Sequence, residues 1–227
     1  TGDVNRAVQE AGRMLGIRGR VLPVSLTDTD LYARLADGTV IARESNIDVR
    51  QERPEIPIDS VYLDPPAVAN EPTVEAILSA DAIVIGPGDL YTSLIPNLLV
   101  DGIPEAIAAS PARKIYICNL MTKRSETDGF SASRFIREVI QYLGKQDVLD
   151  CALINTGEFH PDLVETYSAE GASPVVADIE ECEQLVPIVM QRSLVMTGSV
   201  LRHDPVRVAG AIMEAIDMPT GVSRRLT

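Results

Sequence analysis

From residue 82 onward, short apolar runs alternate with longer segments whose apolar residues recur at helical spacing. The apolar runs cover residues 82–85, 114–118 and 151–154, and the helical patterns cover residues 90–109, 133–143, 162–169 and 206–216. Parallel strands need long crossovers and are buried on both faces, so they form continuous apolar runs. The chain is therefore predicted to be a Rossmann-like α/β protein, with a mostly parallel sheet and helices on both faces.

The first third of the chain predicts a smaller antiparallel element. Asp37-Gly38 separates two strand-like runs and is typical of a tight hairpin turn, because glycine adopts positive φ without strain. We expect this hairpin to be an insertion on a single domain spanning residues 1–227. Further strands are predicted at residues 20–26, 60–63 and 174–177, and further helices at residues 3–15 and 73–80.

Composition limits the classes of function. The formal net charge of −13 argues against broad nucleic-acid binding, which needs a basic surface. No apolar window approaches the length of a membrane span, and the start of the chain has no secretion-signal pattern. The three cysteines form no Cys-x-x-Cys pair, which argues against a disulfide framework or a zinc site. These features together favour a cytoplasmic protein with no membrane partner.

The first candidate site is the Gly86 loop, residues 86–93, directly after an apolar strand. Its glycines let the backbone approach a ligand, and Thr92 and Ser93 add hydroxyl groups. A following helix start would offer free N–H groups to a phosphate. The alternative is an ordinary turn with Asp89 as a helix N-cap, and spacing alone does not decide between them. Asp89 would repel an anion unless a cation or a proton intervenes.

The second candidate site is the Asn119 loop, residues 119–127, after the next strand. Asn119, Thr122 and Glu126 can hold a sugar, and Lys123 or Arg124 can hold an anion. Polarity alone favours a solvated loop instead. A third, weaker segment at residues 155–157 would lie at the same edge, because ligands collect at the carboxyl ends of parallel strands.

Other polar residues carry weaker signals. His160 has no second histidine or spaced carboxylates nearby in sequence, which favours a loop histidine over a metal ligand. His203-Asp204 is better explained as the N-cap region of the last helix than as an acid–base pair. No Gly-x-Ser-x-Gly elbow occurs, so the sequence shows no catalytic triad signature. The catalytic residues stay unknown, and no metal ligand is assigned.

Several motifs resemble those of the CofD-like family, and within it the YvcK branch of gluconeogenesis factors. The Gly86 loop followed by residues 96–99 is similar to the family signature, and residues 119–122 with 126–127 are similar to its second motif. Residues 19–24, 167–175 and 202–205 resemble it as well. The resemblance covers essentially the whole chain.

The chain also departs from the family pattern. Asp89 stands where the family usually has serine, and Lys123-Arg124-Ser125 stands where it usually has Gln-Pro-Gly. The family's opening glycine-rich nucleotide loop and its Asp-Asp-Gly-Gly-Ser segment are not found. Residues 1–3 resemble the middle of a family member, so we expect the family's front segment to be missing from this sequence.

The resemblance implies a cytoplasmic regulator that binds a nucleotide-sugar such as UDP-N-acetylglucosamine and influences central carbon metabolism, cell-wall precursor supply and cell shape. The alternative that it implies is a 2-phospho-L-lactate transferase, which moves a phospholactyl group from a guanosine-diphosphate carrier to a deazaflavin with magnesium. A scaffold with a vestigial site is a third possibility. A homodimer is also expected. The expected ligand-binding residues are Gly86, Pro87, Gly88, Asp89, Tyr91, Thr92, Ser93, Asn97, Asn119, Thr122, Glu126, Thr127 and Asn155.

Overall fold

The computed structural model describes residues 3–196, 198 and 200–219, and Thr1 and Gly2 lie outside this part. Its strands are β1 (Asp30–Leu35), β2 (Val40–Ala42), β3 (Ile58–Asp64), β4 (Ala82–Ile85), β5 (Arg113–Ile117), β6 (Cys151–Asn155) and β7 (Ile188–Arg192). Its helices are α1 (Val4–Met14), α2 (Glu44–Asp48), α3 (Glu71–Leu78), α4 (Ile95–Leu98), α5 (Ile103–Ala109), α6 (Ala132–Leu143), α7 (Pro161–Ala169), α8 (Ile179–Cys182) and α9 (Pro205–Asp217). None of the helices in the described part is long and apolar enough to cross a membrane.

The main sheet has four parallel strands in the order β4-β5-β6-β7. Successive side chains of β5 point to opposite faces, as the strand period of two requires. Ile115 and Ile117 pack in one buried cluster with Val208 and Ala211 of α9, whereas Tyr116 belongs to the larger cluster that includes α6. Helices therefore cover both faces, and the predicted α/β class is confirmed.

The antiparallel element is a separate three-stranded sheet in the order β2-β1-β3. The predicted hairpin turn is confirmed, with Gly38 at φ 87°. The strand predicted at residues 60–63 is also present, as part of β3 on the other side of β1. This sheet is fixed to the main domain by α6, since the backbone N–H of Val61 donates to the Tyr142 hydroxyl at 2.9 Å.

Two strand predictions are wrong. Residues 20–26 form no strand, and only Ser25 makes an isolated bridge, to Ala69. Residues 174–177 also contribute isolated bridges only, and Val176 is 67% exposed. The fourth parallel strand is β7 instead, a segment that sequence analysis missed. Both false strands are short apolar runs, and such runs do not distinguish a strand from an apolar loop that packs on the core.

Helix boundaries follow the expected capping chemistry. The Asp3 side chain accepts from the backbone N–H of Arg6, and the Asp204 side chain accepts from those of Val206 and Arg207. The helical pattern at residues 90–109 is not one continuous helix, because Pro96, Gly102 and Pro104 interrupt it. It forms a π-helical turn at Leu90–Leu94, then α4, then α5 after Gly102 at φ 97°.

Candidate functional site

The Gly86 loop and the Asn119 loop contact each other at the carboxyl edge of the parallel sheet. Gly86 has φ 88°, and a Cβ atom there would lie 3.0 Å from the carbonyl oxygen of Ile117. Only glycine lets the chain leave β4 so close to the end of β5. Beyond this turn, the Asn119 amide Nδ2 donates to the Gly88 carbonyl at 2.9 Å. The two polar loops therefore form one continuous wall.

Two adjoining cavities open along this wall. The large cavity has a volume of about 770 Å³, and its lining includes Asp48, Val49, Arg50, Gln51, Thr122, Lys123, Arg124, Ser125 and Glu170. The small cavity has a volume of about 400 Å³, and its lining includes Pro87, Gly88, Asn119, Leu120, Leu201, Arg202 and His203. Asp89, Met121 and Tyr167 line both cavities. Each volume lies in the range of small-molecule sites.

Lys123 is enclosed by three carboxylates. Its ammonium Nζ lies 2.7 Å from Asp89 Oδ2 and 2.8 Å from Glu126 Oε1, and it also donates to Asp48 Oδ1. Partial burial lowers the pKa of Lys123, but the hydrogen bonds to the three carboxylates outweigh burial and hold it above its usual value. The ammonium donates hydrogen bonds to Asp48 and Asp89 and forms an ion pair with Glu126, so carboxylates already compensate its charge. Lys123 is therefore not the anion-binding group that its sequence position suggested.

The Glu126 side chain is fully buried in this cluster. Burial raises its pKa to about 7; Lys123 lowers the value, while Asp89 and Asp48 raise it further. Near neutral pH, Glu126 therefore exists in both protonation states. The cluster of four side chains carries a net charge of −2 with Glu126 ionised and −1 with it protonated.

The transferase alternative implies a bound magnesium ion, and the same three carboxylates are the candidate ligands for it. Oxygen atoms from Asp48, Asp89 and Glu126 all lie within 4.8 Å of one another, a spacing compatible with a shared cation. Lys123 Nζ, however, already contacts each of them. A divalent ion among the three would be in direct contact with the ammonium. With Lys123 in place, these residues do not fit magnesium.

Two further arginines differ in their environment. Arg50 is 5% exposed, and its Nη2 donates to the carbonyls of Ile56, at 2.8 Å, and Ser125. Burial lowers the pKa of Arg50, and neighbouring carboxylates, Asp128 first among them, oppose the shift. Arg202 is exposed at the small cavity, and the described residues show no ion pair to it. Arg50 therefore connects the loops around the large cavity, whereas Arg202 can reach an anion.

His203 is the titratable neighbour of Arg202. Its Nε2 lies 3.2 Å from the Cys118 carbonyl oxygen, which assigns the proton to that nitrogen. Burial lowers the pKa of His203. The ring is therefore largely neutral at neutral pH and holds the loop before α9 against the end of β5.

A family model described as 2-phospho-L-lactate transferase CofD matches residues 1–195. The chain belongs to the CofD family. Similar curated proteins include the gluconeogenesis factor of Bacillus subtilis, 36% identical over 95% of this chain and 67% of its own length. The gluconeogenesis factor of Halalkalibacterium halodurans is 40% identical over 94% of this chain and 66% of its own length.

A solved structure is also similar. The crystal structure of a protein member of the UPF0052 family from Bacillus halodurans matches with a TM-score of 0.86 and 38% identity. The match covers 93% of this chain and 67% of that chain. This chain thus spans about two thirds of the length of these relatives. The predicted family resemblance is confirmed, while the activity of the longer proteins is a separate question.

The CofD-like signature residues divide into those that line the cavities and those that do not. Pro87, Gly88, Asp89, Asn119 and Thr122 line one or both cavities. Asp89 occupies the N-cap position of the π-helical turn, but its side chain makes no capping bond and pairs with Lys123 instead. An anion can bind beside Asp89 only if a cation offsets the aspartate charge, and here Lys123 is that cation. The charge of Lys123 is already compensated by the three carboxylates around it.

The remaining expected residues make internal contacts. Tyr91 is fully buried, and its ring meets Phe130 edge-on. Thr127 Oγ1 accepts from the Lys123 backbone N–H at 2.9 Å, and Asn97 Nδ2 donates to the Ser93 carbonyl at 2.7 Å.

Asn155, Thr92 and Ser93 are further expected residues that lie outside the cavity linings. Asn155 Oδ1 accepts from the N–H of Leu194 at 2.8 Å, which fastens the end of β6 to the segment after β7. Thr92 is buried behind the loop, and Ser93 is exposed on the turn. The structure places none of these side chains in the lining of either cavity.

Sequence analysis missed several residues that line the cavities, among them Asp48, Arg50, Tyr167 and Arg202. Tyr167 and Arg202 lie in segments that resemble the CofD-like family, so the resemblance could have found them. Asp48 and Arg50 come from α2 and the loop after it, next to the antiparallel sheet. No spacing signal marks these two, because they reach the site only through the packing of the two sheets.

Proposed function

We propose that this chain forms the ligand-binding part of a cytoplasmic regulator of the gluconeogenesis-factor type, and that it binds a nucleotide-sugar of the UDP-N-acetylglucosamine class. One observation carries the proposal. The Asn119–Gly88 contact joins two signature loops into a wall along two adjoining cavities, which together present cationic and carboxylate groups. A nucleotide-sugar has an anionic diphosphate and a neutral, hydroxyl-rich sugar, and so needs both environments.

The small cavity suits the diphosphate. Arg202 offers a guanidinium that the described residues leave without an ion pair, and arginine matches phosphate oxygens with paired N–H donors. Asn119 also has a buried Oδ1 to which the described residues donate no hydrogen bond, and this acceptor suits a hydroxyl or N–H group of the ligand and not its phosphates. A donor on the ligand or a bound water would satisfy this atom. We place the diphosphate at the Arg202 end of the small cavity, with Asp89, which lines both cavities, at the boundary with the large one.

The large cavity suits the sugar. Asp48 and Asp89 are partly exposed there, and each has carboxylate lone pairs beyond those that Lys123 uses. Carboxylates accept hydrogen bonds from sugar hydroxyls but repel phosphate. Met121 and Tyr167 supply apolar surface where the two cavities meet. The same acidic cluster that disfavours an anion thus favours the sugar.

Calorimetric titration tests this proposal. UDP-N-acetylglucosamine, UDP and N-acetylglucosamine are titrated separately into the chain and into a full-length relative. We expect saturable heat with the whole nucleotide-sugar and weaker binding of each fragment. An absence of heat and of any thermal shift with the intact ligand in both proteins would contradict the proposal.

The alternative is a 2-phospho-L-lactate transferase, favoured by the family model that the chain matches. The ammonium in the carboxylate cluster weighs against it, since that reaction is expected to use magnesium. Formation of the phospholactyl product from the guanosine-diphosphate carrier, measured with and without magnesium, separates the two. Turnover that depends on magnesium would favour the transferase.

The homodimer implied by the resemblance is part of the same proposal. Light scattering coupled to size exclusion measures the mass directly, with and without nucleotide-sugar. A mass near twice the 24.5 kDa of the chain is expected.

A further inference from the structure

The ammonium of Lys123 occupies the position that a divalent cation would need. Three carboxylates converge on it from three separate segments: Asp48 from the end of α2, Asp89 from the Gly86 loop and Glu126 from the Asn119 loop. Their oxygens lie within 4.8 Å of one another, and each one contacts Lys123 Nζ. Two of these contacts are hydrogen bonds, to Asp48 and Asp89, and the contact with Glu126 is an ion pair at 2.8 Å, so the ammonium is surrounded by carboxylates.

We infer that Lys123 is a built-in cation that takes the place of a divalent metal ion, so that the wall of the two cavities is held together without magnesium. This inference concerns the chain's own ion chemistry and holds whatever ligand the cavities accept. It assigns to Lys123 a positioning role, since its ammonium links α2 to both signature loops.

The lysine and a metal ion exclude each other on simple electrostatic grounds. Mg²⁺ binds carboxylate oxygens at about 2.0–2.1 Å and requires nearly octahedral geometry. The same oxygens lie 2.7 and 2.8 Å from Nζ, so the ion and the ammonium would overlap or nearly touch. Like charges at such a distance repel strongly in a partly buried site.

Removal of the lysine should therefore create a metal site. In Lys123→Ala the three carboxylates keep their positions on separate segments but lose their counter-charge. Mutual repulsion lowers the melting temperature of this variant, and a divalent ion restores part of it. At a cation concentration about 100 times its dissociation constant, we expect a rise of roughly 5–10 °C.

The experiment compares melting temperatures in MgCl2, MnCl2 and NaCl at matched ionic strength. The wild-type chain should show the same value in all three salts. Lys145→Ala is the matched control, because Lys145 is exposed and the described residues show no ion pair to it. It should behave as the wild type does, whereas only Lys123→Ala gains stability from the divalent salts.

Direct Mn²⁺ titration followed by electron paramagnetic resonance keeps the test decisive if Lys123→Ala does not fold. Stoichiometric Mn²⁺ binding to the wild type, abolished by Asp48→Asn, would overturn the inference. Lys123→Arg preserves the positive charge and should bind no Mn²⁺. A folded Lys123→Ala that gains neither Mn²⁺ binding nor thermal stability would overturn it as well.

Discussion

Two cations at the adjoining cavities, Lys123 and Arg202, have opposite electrostatic environments. In the large cavity, the cation Lys123 is surrounded by three carboxylates that compensate its charge. In the small cavity, Arg202 is exposed, and no carboxylate in the described part of the chain pairs with it. A basic residue beside a cavity is therefore not by itself an anion site. What decides is whether carboxylates already compensate its charge.

The largest expected effect comes from breaking the wall that the cavities share. Gly86→Ala places a Cβ 3.0 Å from the Ile117 carbonyl oxygen at φ 88°. Backbone strain and overpacking together should lower the free energy of unfolding by about 4 kcal/mol. Urea denaturation measures this loss.

Gly88→Ala is the matched control for this wall. Its φ lies outside the left-handed range, and its nearest neighbours are the Leu94 and Ser93 side chains, at 3.1 and 3.3 Å. Side chains can move where a carbonyl cannot, so a loss of about 1 kcal/mol is expected. Equal losses for the two variants would mean that the Gly86 turn is not the constrained point of the wall.

The second effect concerns the charge of the buried Glu126, which contacts Lys123 beside the large cavity. The pKa of Glu126 is raised to about 7 from an ordinary value of 4.5. A raised pKa contributes stability that is fully present below pH 4.5 and is lost as the pH rises through 7. The loss between pH 5 and pH 8 amounts to about 2.5 kcal/mol. Glu126→Gln removes this titration, so its free energy of unfolding should fall less over that interval.

The charged groups that act on Glu126 are Lys123, Asp89 and Asp48, and the buried Arg50 also interacts with it electrostatically. Lys123 titrates far above this interval, so its charge does not change between pH 5 and pH 8. Glu165→Gln, at an exposed position on α7, controls for the general effect of losing a carboxylate. If wild type and Glu126→Gln show parallel pH profiles, the burial argument for Glu126 is wrong.

The sequence predicted the main sheet well because each buried parallel strand is a local apolar run. It also predicted that the Gly86 and Asn119 loops lie on one edge, since their positions follow from strand order alone. It could not predict the partners of Lys123. Asp48 is 75 positions away from Lys123, and its approach depends on how the antiparallel sheet packs on the domain. Long-range pairing of this kind leaves no local pattern in the chain.

The third effect tests the small cavity directly. Arg202→Ala should weaken binding of both UDP and UDP-N-acetylglucosamine about 30-fold, because a charge-assisted contact to phosphate contributes about 2 kcal/mol. Calorimetry measures both affinities. Arg18→Ala changes an exposed arginine outside both cavities and should leave them unchanged. A selective loss of the sugar-bearing ligand alone would place the diphosphate elsewhere.

The smallest effect separates the two cavities from each other. Asp48→Asn removes one acceptor from the large cavity and should weaken UDP-N-acetylglucosamine binding about fivefold, as a loss of about 1 kcal/mol implies. Because UDP alone would occupy the small cavity, its affinity should stay the same or rise slightly as negative charge is lost. The ratio of the two affinities is thus more informative than either one. Equal weakening of UDP and the nucleotide-sugar would show that Asp48 acts through the fold of the wall, by releasing Lys123, and not through the sugar.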